Sequence, residues 1–161
     1  MTTLILLIAM GGNSSYSKEW GGVPTAKRTH TDSEFKIDGY KVVFSTKKND
    51  QTKNILNSNS ANAVYLIAKK HEDGTIEIES IDVFVGHQLN YEINLEFDSD
   101  GKILPFTKGK GSHAHFWKEN PDDGKLKRNS HDKKNTFPID PKYNSLISKI
   151  ETFNKQKNKK L

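Results

Sequence analysis

The ten residues from 88 to 97 constrain the fold most, because polar and apolar side chains alternate along them without a break. The apolar positions are Leu89, Tyr91, Ile93, Leu95 and Phe97. Successive side chains of a β-strand point to opposite faces of the sheet, so this run predicts a strand with one buried face and one face in water. Sheets of this kind are usually antiparallel.

Turn signals divide the neighbouring sequence into further β-forming runs. They lie at Asp38-Gly39, residues 71–74, Gly86-His87 and residues 98–101. An Asp-Gly pair between two such runs is a strong hairpin signal, and the near-continuous apolar run at 63–68 predicts a central strand. In the next run, 75–85, the apolar phase shifts near Ser80 and Ile81, which predicts a β-bulge. Residues 35–104 are therefore predicted to form an antiparallel β-meander of about five to six strands.

The rest of the chain completes a single α+β domain, for which a length of 161 residues is suitable. Residues 1–34 are predicted to form an irregular N-terminal segment, and residues 105–141 a long basic loop region that contains histidines. Residues 142–157 predict a C-terminal amphipathic helix, because apolar side chains recur there at helical spacing after Pro141. These side chains are Tyr143, Leu146, Ile147, Ile150 and Phe153.

Basic charge is concentrated in the last third of the chain. Residues 102–161 hold 15 of the 25 Lys and Arg residues but only 6 of the 20 Asp and Glu residues. This distribution is typical of proteins that bind a polyanion, although lysine-rich tails also serve solubility. The chain has no cysteine, which excludes disulfides, thiolate metal sites and a cysteine nucleophile. No membrane partner is predicted, because the longest apolar run, residues 4–10, is far shorter than the roughly 20 residues of a membrane span.

The candidate site lies at residues 108–117, which read Lys-Gly-Lys-Gly-Ser-His-Ala-His-Phe-Trp. On a strand, His113 and His115 present their imidazoles on the same face. Such a pair can bind a divalent metal, transfer protons as an acid and a base, or bind phosphate when protonated. A hairpin around the turn signal at 120–124 would bring Arg128 and His131 back beside the pair.

These residue types are the ones that metal-independent RNA cleavage requires. One neutral imidazole takes the 2′-hydroxyl proton, a protonated imidazole gives a proton to the leaving 5′-oxygen, and an arginine holds the phosphate. The predicted catalytic residues are His113, His115, His131 and Arg128. The predicted substrate-binding residues, which would stack a base or attract phosphates, are Trp117, Phe116, Lys108, Lys110 and Lys127.

Two other interpretations of the same histidines stay open. In a metal-dependent site, the three imidazoles would bind a divalent metal together with one carboxylate. The candidate oxygen ligands are Asp132, Asp122 and Asp123. The histidines are incidental in the other interpretation, as we expect for the surface or turn residues His30, His71 and His87. The first prediction, without a cofactor, remains the preferred one.

The order of motifs resembles the C-terminal toxin domains of bacterial polymorphic toxins. The alternating strand and the turn that follows it precede residues 111–117, which match a Gly-x-His-x-His-x-Trp pattern at His113, His115 and Trp117. The resemblance covers roughly residues 62–140. It implies a nuclease-like toxin that acts in the cytoplasm, after secretion or delivery, with RNA a more expected substrate than DNA. It also implies a cognate immunity protein as a partner.

A second class of function is equally compatible with the charge pattern. The chain would then be a non-catalytic binding protein for nucleic acid, a nucleotide or a host protein, of the kind that phages and mobile elements encode. Strongly salt-dependent binding without turnover is expected in that case.

Overall fold

The computed structural model describes residues 30–31, 35–45, 58, 60–124, 126–128 and 135–156. Its strands are β1 (His30–Thr31), β2 (Lys36–Ile37), β3 (Tyr40–Ser45), β4 (Asn62–Lys70), β5 (Ile76–Val85), β6 (Gln88–Asn94), β7 (His113–Glu119) and β8 (Leu126–Arg128). They form one sheet in the order β1-β3-β4-β5-β6-β7-β8, with β2 paired to β3. A 3-10 turn, Pro141–Tyr143, leads into the helix α1, Asn144–Lys155. The predicted α+β fold with a C-terminal helix is confirmed.

The sheet differs from the predicted meander in two ways. Strands β3 and β4 are parallel, which is possible because residues 46–61 between them are long enough for a crossover connection. Strands β7 and β8 lie within residues 105–141, which were predicted to be a basic loop region. Strand β7 pairs with β6, which is distant in sequence, and β8 is only three residues long, so a local apolar pattern does not reveal either strand.

Left-handed backbone at two tight turns sets the register of the adjoining strands. Asp38 and Gly39 have φ values of +52° and +80°, and Gly86 and His87 have values of +58° and +68°. Positive φ at both central residues is the mark of a type I′ turn, whose twist matches that of an antiparallel hairpin. Both predicted turns are therefore confirmed.

The predicted bulge in β5 is also confirmed. Ile67 of β4 lies opposite Ser80, whereas the next residue, Ala68, lies opposite Ile78. Glu79 is consequently an extra residue on β5. The phase shift in the sequence arises from this insertion, since a bulge changes which residues of a strand share a face.

A second bulge interrupts β6, which lies within the alternating run at 88–97. Phe84 lies opposite Leu89 and Val83 opposite Tyr91, so Asn90 is the extra residue of β6. Leu89 therefore faces the opposite side of the sheet from Tyr91, contrary to the prediction that all the apolar side chains of this run share one face. A bulge of this kind leaves the alternation in the sequence intact, which is why the sequence alone does not predict it.

Helix α1 covers one side of the sheet, which we call the helix face. Its buried side chains are Leu146, Ile147, Ile150 and Phe153. The sheet residues in the same apolar cluster are Val42, Leu66, Ala68, Ile76, Ile78, Ile81 and Ile93. A smaller cluster lies on the other side and consists of Val43, Tyr65, Ile67, Phe84, Leu89, Trp117 and Leu126. No helix within the described ranges is long and apolar enough to cross a membrane.

Two polar side chains attach α1 to the sheet. Asn154 accepts a hydrogen bond from the backbone N–H of Ile78 at 2.9 Å and donates one to its carbonyl oxygen at 3.0 Å. Glu151 accepts from the backbone N–H of Ile103 at 2.7 Å and from Nζ of Lys155 at 3.1 Å. The helix therefore closes the backbone hydrogen bonding of the strand and loop on which it packs.

The Glu151 contact predicts a stability change with pH. The Ile103 N–H, and then the Lys155 ammonium, lower the pKa of the Glu151 carboxyl below its ordinary value of 4.5. A carboxyl whose pKa is lower in the folded state stabilises the fold above its unfolded pKa, and this contribution is lost as the pH falls through the folded pKa. We expect Glu151→Gln to unfold at lower urea than wild type near pH 7, and the difference to shrink as the pH falls below 4.5, the ordinary pKa of this carboxyl, and through its lowered folded-state pKa. The exposed Glu72 gives a matched control in Glu72→Gln, and a Glu151→Gln deficit that is constant with pH contradicts the prediction.

Candidate active site

Polar side chains from three neighbouring strands meet on the side of the sheet opposite α1. The register of β5, β6 and β7 aligns them in two adjacent rows. The rows are Asp82, Glu92 and His115, then Ser80, Asn94 and His113. All six residues are buried. We call this surface, which Trp117 and Arg128 extend toward the sheet edge, the polar face.

The two predicted histidines form a hydrogen-bonded pair on the polar face. Nε2 of His113 lies 3.0 Å from Nε2 of His115, and Nδ1 of His113 lies 2.7 Å from the carbonyl oxygen of Gly111. Because a carbonyl oxygen only accepts, Nδ1 of His113 carries a hydrogen. In a neutral ring Nε2 of His113 is then an acceptor, and Nε2 of His115 donates to it. The two rings are therefore linked by one hydrogen between their Nε2 atoms.

Hydrogen bonds on both sides fix the start of β7. Oγ of Ser112 donates to the carbonyl oxygen of Glu96 at 3.1 Å and accepts from its backbone N–H at 2.9 Å. On the other side, Ala114 and Phe137 exchange two backbone hydrogen bonds of 2.8 and 3.1 Å. The backbone that carries His113 is therefore held between two segments, which limits the movement of the imidazole.

Gly111 makes this entry into β7 possible. Its φ is +74°, and a Cβ atom at this position would lie 2.0 Å from the carbonyl oxygen of Pro105. Only glycine therefore fits the close approach of the two backbones. Since the carbonyl oxygen of the same residue accepts from His113, the requirement for glycine and the orientation of the imidazole arise at one residue.

The carboxylate of Glu92 is completely buried and binds two donors. Oε2 accepts from the indole Nε1 of Trp117 at 2.7 Å, and Oε1 accepts from Nη1 of Arg128 at 3.3 Å. A buried carboxylate requires such partners, because it loses its hydration on folding. The Arg128 side chain keeps 21% of its surface exposed, so it marks the rim at which the polar face reaches solvent.

Two polar atoms beside the histidine pair have no hydrogen-bond partner among the described residues. They are Oγ of Ser80 and Oδ1 of Asn94. These residues, 0% and 8% exposed, belong to the row of His113. A buried polar atom without a partner costs about 1–3 kcal/mol, and each one therefore calls for an explanation.

The geometry gives Trp117 a different role from the predicted base stacking. Its side chain is 9% exposed, and its N–H donor is occupied by Glu92. A base cannot stack on an enclosed ring. The indole instead holds the Glu92 carboxylate beside His115. His115 lies two residues before Trp117 on the same face of β7.

Other predicted site residues lie away from the histidine pair. Phe116 and Lys127 point to the helix face, because they alternate along β7 and β8 with residues of the polar face. Lys127 also pairs with Asp123 at 3.1 Å. A ligand bound at the histidine pair therefore cannot contact either of them. The other predicted lysines, Lys108 and Lys110, are exposed in the turn at 107–110.

Four residues of the polar face were not predicted from the sequence: Ser80, Asp82, Glu92 and Asn94. For two of them, the predicted exposure is wrong. The polar side of the run at 88–97 was expected to face water, but Glu92 and Asn94 are 0% and 8% exposed. The available signal was in β5, where Ser80 and Asp82 interrupt an otherwise apolar stretch. Polar residues inside such a stretch indicate that a buried sheet face carries a polar site rather than a core.

The metal interpretation depends partly on residues outside the described ranges, which include His131 and Asp132. Within those ranges, no group of three or more His, Asp or Glu side chains is arranged to hold a metal ion. No family model matches the chain, and no curated protein or solved structure is significantly similar to it. The resemblance to toxin domains and the roles of the site residues therefore stay predictions.

Gly111 and Gly39 provide a matched test of the β7 entry. Both have φ near +80°, but a Cβ at Gly39 meets nothing within 4 Å. We expect Gly39→Ala to lower the free energy of unfolding by about 1–2 kcal/mol, the cost of a left-handed alanine. Gly111→Ala should lower it by roughly 1–3 kcal/mol more, because Pro105 must also move. Urea unfolding measures both, and equal losses in the two variants contradict the steric argument.

Proposed function

We propose that this chain is a toxin-type ribonuclease that cleaves RNA by acid–base catalysis at the polar face. The observation that carries the proposal is the buried hydrogen-bonded pair of His113 and His115, with Glu92 beside it and Arg128 at the rim. Imidazole is the side chain best suited to proton transfer near neutral pH. A cluster of buried polar residues is also uncommon in a core that serves packing alone.

The histidine pair works as one proton-transfer unit in this proposal. With their Nε2 atoms 3.0 Å apart, the two rings cannot lie on opposite sides of a phosphorus atom, as a separate acid and base would. A proton that the pair takes up can be passed between the rings, because the hydrogen between the two Nε2 atoms can move from His115 to His113. The pair therefore stores a proton and supplies it to the leaving 5′-oxygen.

In-line cleavage also requires a group that takes the 2′-hydroxyl proton. Glu92 suits this role because its strand places it directly opposite His115; His131 is the candidate from the sequence. The 2′-oxygen attacks phosphorus, the bond from phosphorus to the 5′-oxygen breaks, and the histidine pair protonates the departing oxygen. The product strand ends in a 2′,3′-cyclic phosphate.

Arg128 supports the assignment of a phosphate-containing substrate. Its guanidinium has five N–H donors, of which Glu92 engages Nη1. The remaining donors lie at the exposed rim, where they can bind phosphate oxygens. Ser80 and Asn94, with their buried polar atoms beside His113, can hydrogen-bond the ribose.

The burial of the histidine pair favours a second candidate function. His113 is 5% and His115 0% exposed, so the polar face must open before RNA reaches them. A non-catalytic binding protein for nucleic acid, a nucleotide or a host protein needs no such opening. Its binding surface would lie elsewhere on the molecule, and the polar residues would serve to specify the fold.

Cleavage of a short RNA tests the proposal. We expect wild type to release 2′,3′-cyclic phosphate ends and to leave the same sequence intact as DNA or 2′-O-methyl RNA. His115→Gln should lower the rate by about 10²- to 10⁴-fold, the usual contribution of an acid–base group. Glutamine keeps an N–H donor for His113 but cannot relay a proton. His71→Ala is the matched control, since His71 lies away from the polar face with Glu77.

Two results would decide between the candidates. RNA that stays intact with wild type, in both the presence and the absence of divalent metals, rejects the ribonuclease proposal. Salt-dependent RNA binding by the same sample then supports the second candidate. Circular dichroism and urea unfolding of His115→Gln separate a loss of catalysis from a loss of folding.

The toxin assignment has its own test in bacterial growth. We expect induced expression of the wild-type chain to arrest growth, because RNA cleavage in the cytoplasm stops translation. Expression of His115→Gln at the same level should leave growth unchanged. Arrest by both variants would show that toxicity does not depend on the histidine pair.

A further inference from the structure

Two exposed aromatic rings lie side by side on the helix face. Phe116 and Phe137 are 38% and 37% exposed, and their ring centroids are 5.1 Å apart. Of the described large apolar side chains, the other exposed one is Val85. Single exposed apolar residues are ordinary, but two in contact form a patch that indicates an interaction surface.

Packing beneath the two rings keeps them in place. Phe116 packs against Tyr91 with centroids 5.2 Å apart, and Tyr91 stacks on Tyr143 at 6.0 Å. Phe137 is held by its two backbone hydrogen bonds with Ala114. Rings that are already fixed lose little conformational entropy when a flat ligand stacks on them.

Lysine side chains surround this aromatic pair. Lys118 follows Phe116 on the same face of β7, and Lys127 lies opposite Lys118 on β8. On the other side, the turn that carries Lys108 and Lys110 is attached through the Gly109 N–H to Oγ1 of Thr136, the residue before Phe137. Asp123 offsets Lys127, which leaves a surface where cations outnumber anions around the two rings.

We propose that Phe116 and Phe137 form a stacking platform for the bases of single-stranded nucleic acid, whose phosphates bind the surrounding lysines. Every base has a flat π-face, so exposed aromatic rings within a basic surface are typical of sequence-tolerant single-strand binding. Association with a second copy of the chain is disfavoured, because it brings the same lysines together. The choice of RNA as the ligand rests on the proposed function, whereas the platform itself does not require cleavage.

The platform and the polar face share one strand. Phe116 and His115 are adjacent on β7 and point to opposite sides of the sheet. In the described part of the chain, two segments lie beyond β7: Phe137, which bridges to Ala114, and β8, a strand of three residues that ends with Arg128. A bound strand that passes around the edge at β8 goes from the platform to the rim of the polar face.

Binding of a fluorescein-labelled 2′-O-methyl oligouridylate of about 12 nucleotides tests the platform, since this probe binds but cannot be cleaved. We expect the Phe116→Leu/Phe137→Leu double variant to bind at least about tenfold more weakly than wild type, as loss of base stacking predicts. Leucine retains apolar bulk, so an apolar protein-docking surface would survive the change. Val85→Ser, at the third exposed large apolar residue of the described ranges, is the control and should bind like wild type.

Salt dependence tests the lysines separately. Lys108→Gln/Lys110→Gln should reduce the slope of log affinity against log salt by about 1.4, which corresponds to two phosphate contacts. Unchanged affinity in the double-leucine variant, or no probe binding by wild type at about 50 mM salt, overturns the platform. His71→Ala, at a residue that lies away from both surfaces with Glu77, should bind the probe normally. Normal probe binding without RNA cleavage by wild type therefore rejects the ribonuclease proposal alone. RNA cleavage by wild type, together with unchanged probe affinity in the double-leucine variant, rejects the platform alone.

Discussion

The register with which β6 pairs to β5 and β7 is the constraint on which both faces of the sheet depend. In this register Ile93 faces α1, and Glu92 lies between Asp82 and His115. A slip of one residue would turn every side chain of the strand to the other side and bury a carboxylate against the helix. The type I′ turn at Gly86 fixes one end of the strand. Beyond the other end of β6, Glu96 is held by two hydrogen bonds with Ser112.

The two faces contribute unequally to stability. Among the described residues, the helix face holds thirteen buried residues in its apolar cluster, whereas the opposite face holds seven. Burial of apolar surface is the main favourable term in folding, so the described residues on the side of α1 contribute more of the stabilisation than those on the opposite face. The opposite face can therefore accommodate buried polar groups that lower stability. Such an arrangement is what a catalytic or binding site requires, because its groups are selected for chemistry rather than packing.

Local patterns in the sequence predicted the strands, turns and helix of this fold better than they predicted which strands pair with each other. The Asp38-Gly39 hairpin, the bulge near Ser80 and the C-terminal helix each have a signal within a few residues, and all three are confirmed. The parallel pairing of β3 with β4 has no such signal, since it depends on contacts between segments far apart in the chain. Strand β8 is also too short for a periodic pattern.

The candidate site was predicted only in part, because local patterns show which residues of one strand share a face but not which strands lie side by side. The spacing of His113 and His115 gave their common face, because alternation is a local property. Glu92 was placed in water because its strand alternates regularly. Its burial follows from the polar side chains of the two neighbouring strands, whose alignment only the register reveals. The alternation that joined the histidines also separated them from Phe116, so one predicted site became two surfaces.

The contacts that attach α1 to the sheet determine when the fold can be completed during synthesis of the chain. Asn154 closes the backbone hydrogen bonds of Ile78, and Lys149 pairs with Asp38. These contacts join residues 76 and 111 positions apart, and contacts between distant residues form late. A growing chain that has not reached residue 154 leaves the helix face of its sheet uncovered. The sheet that carries the polar face therefore gains the cover of its other side only after residue 154 has been synthesised.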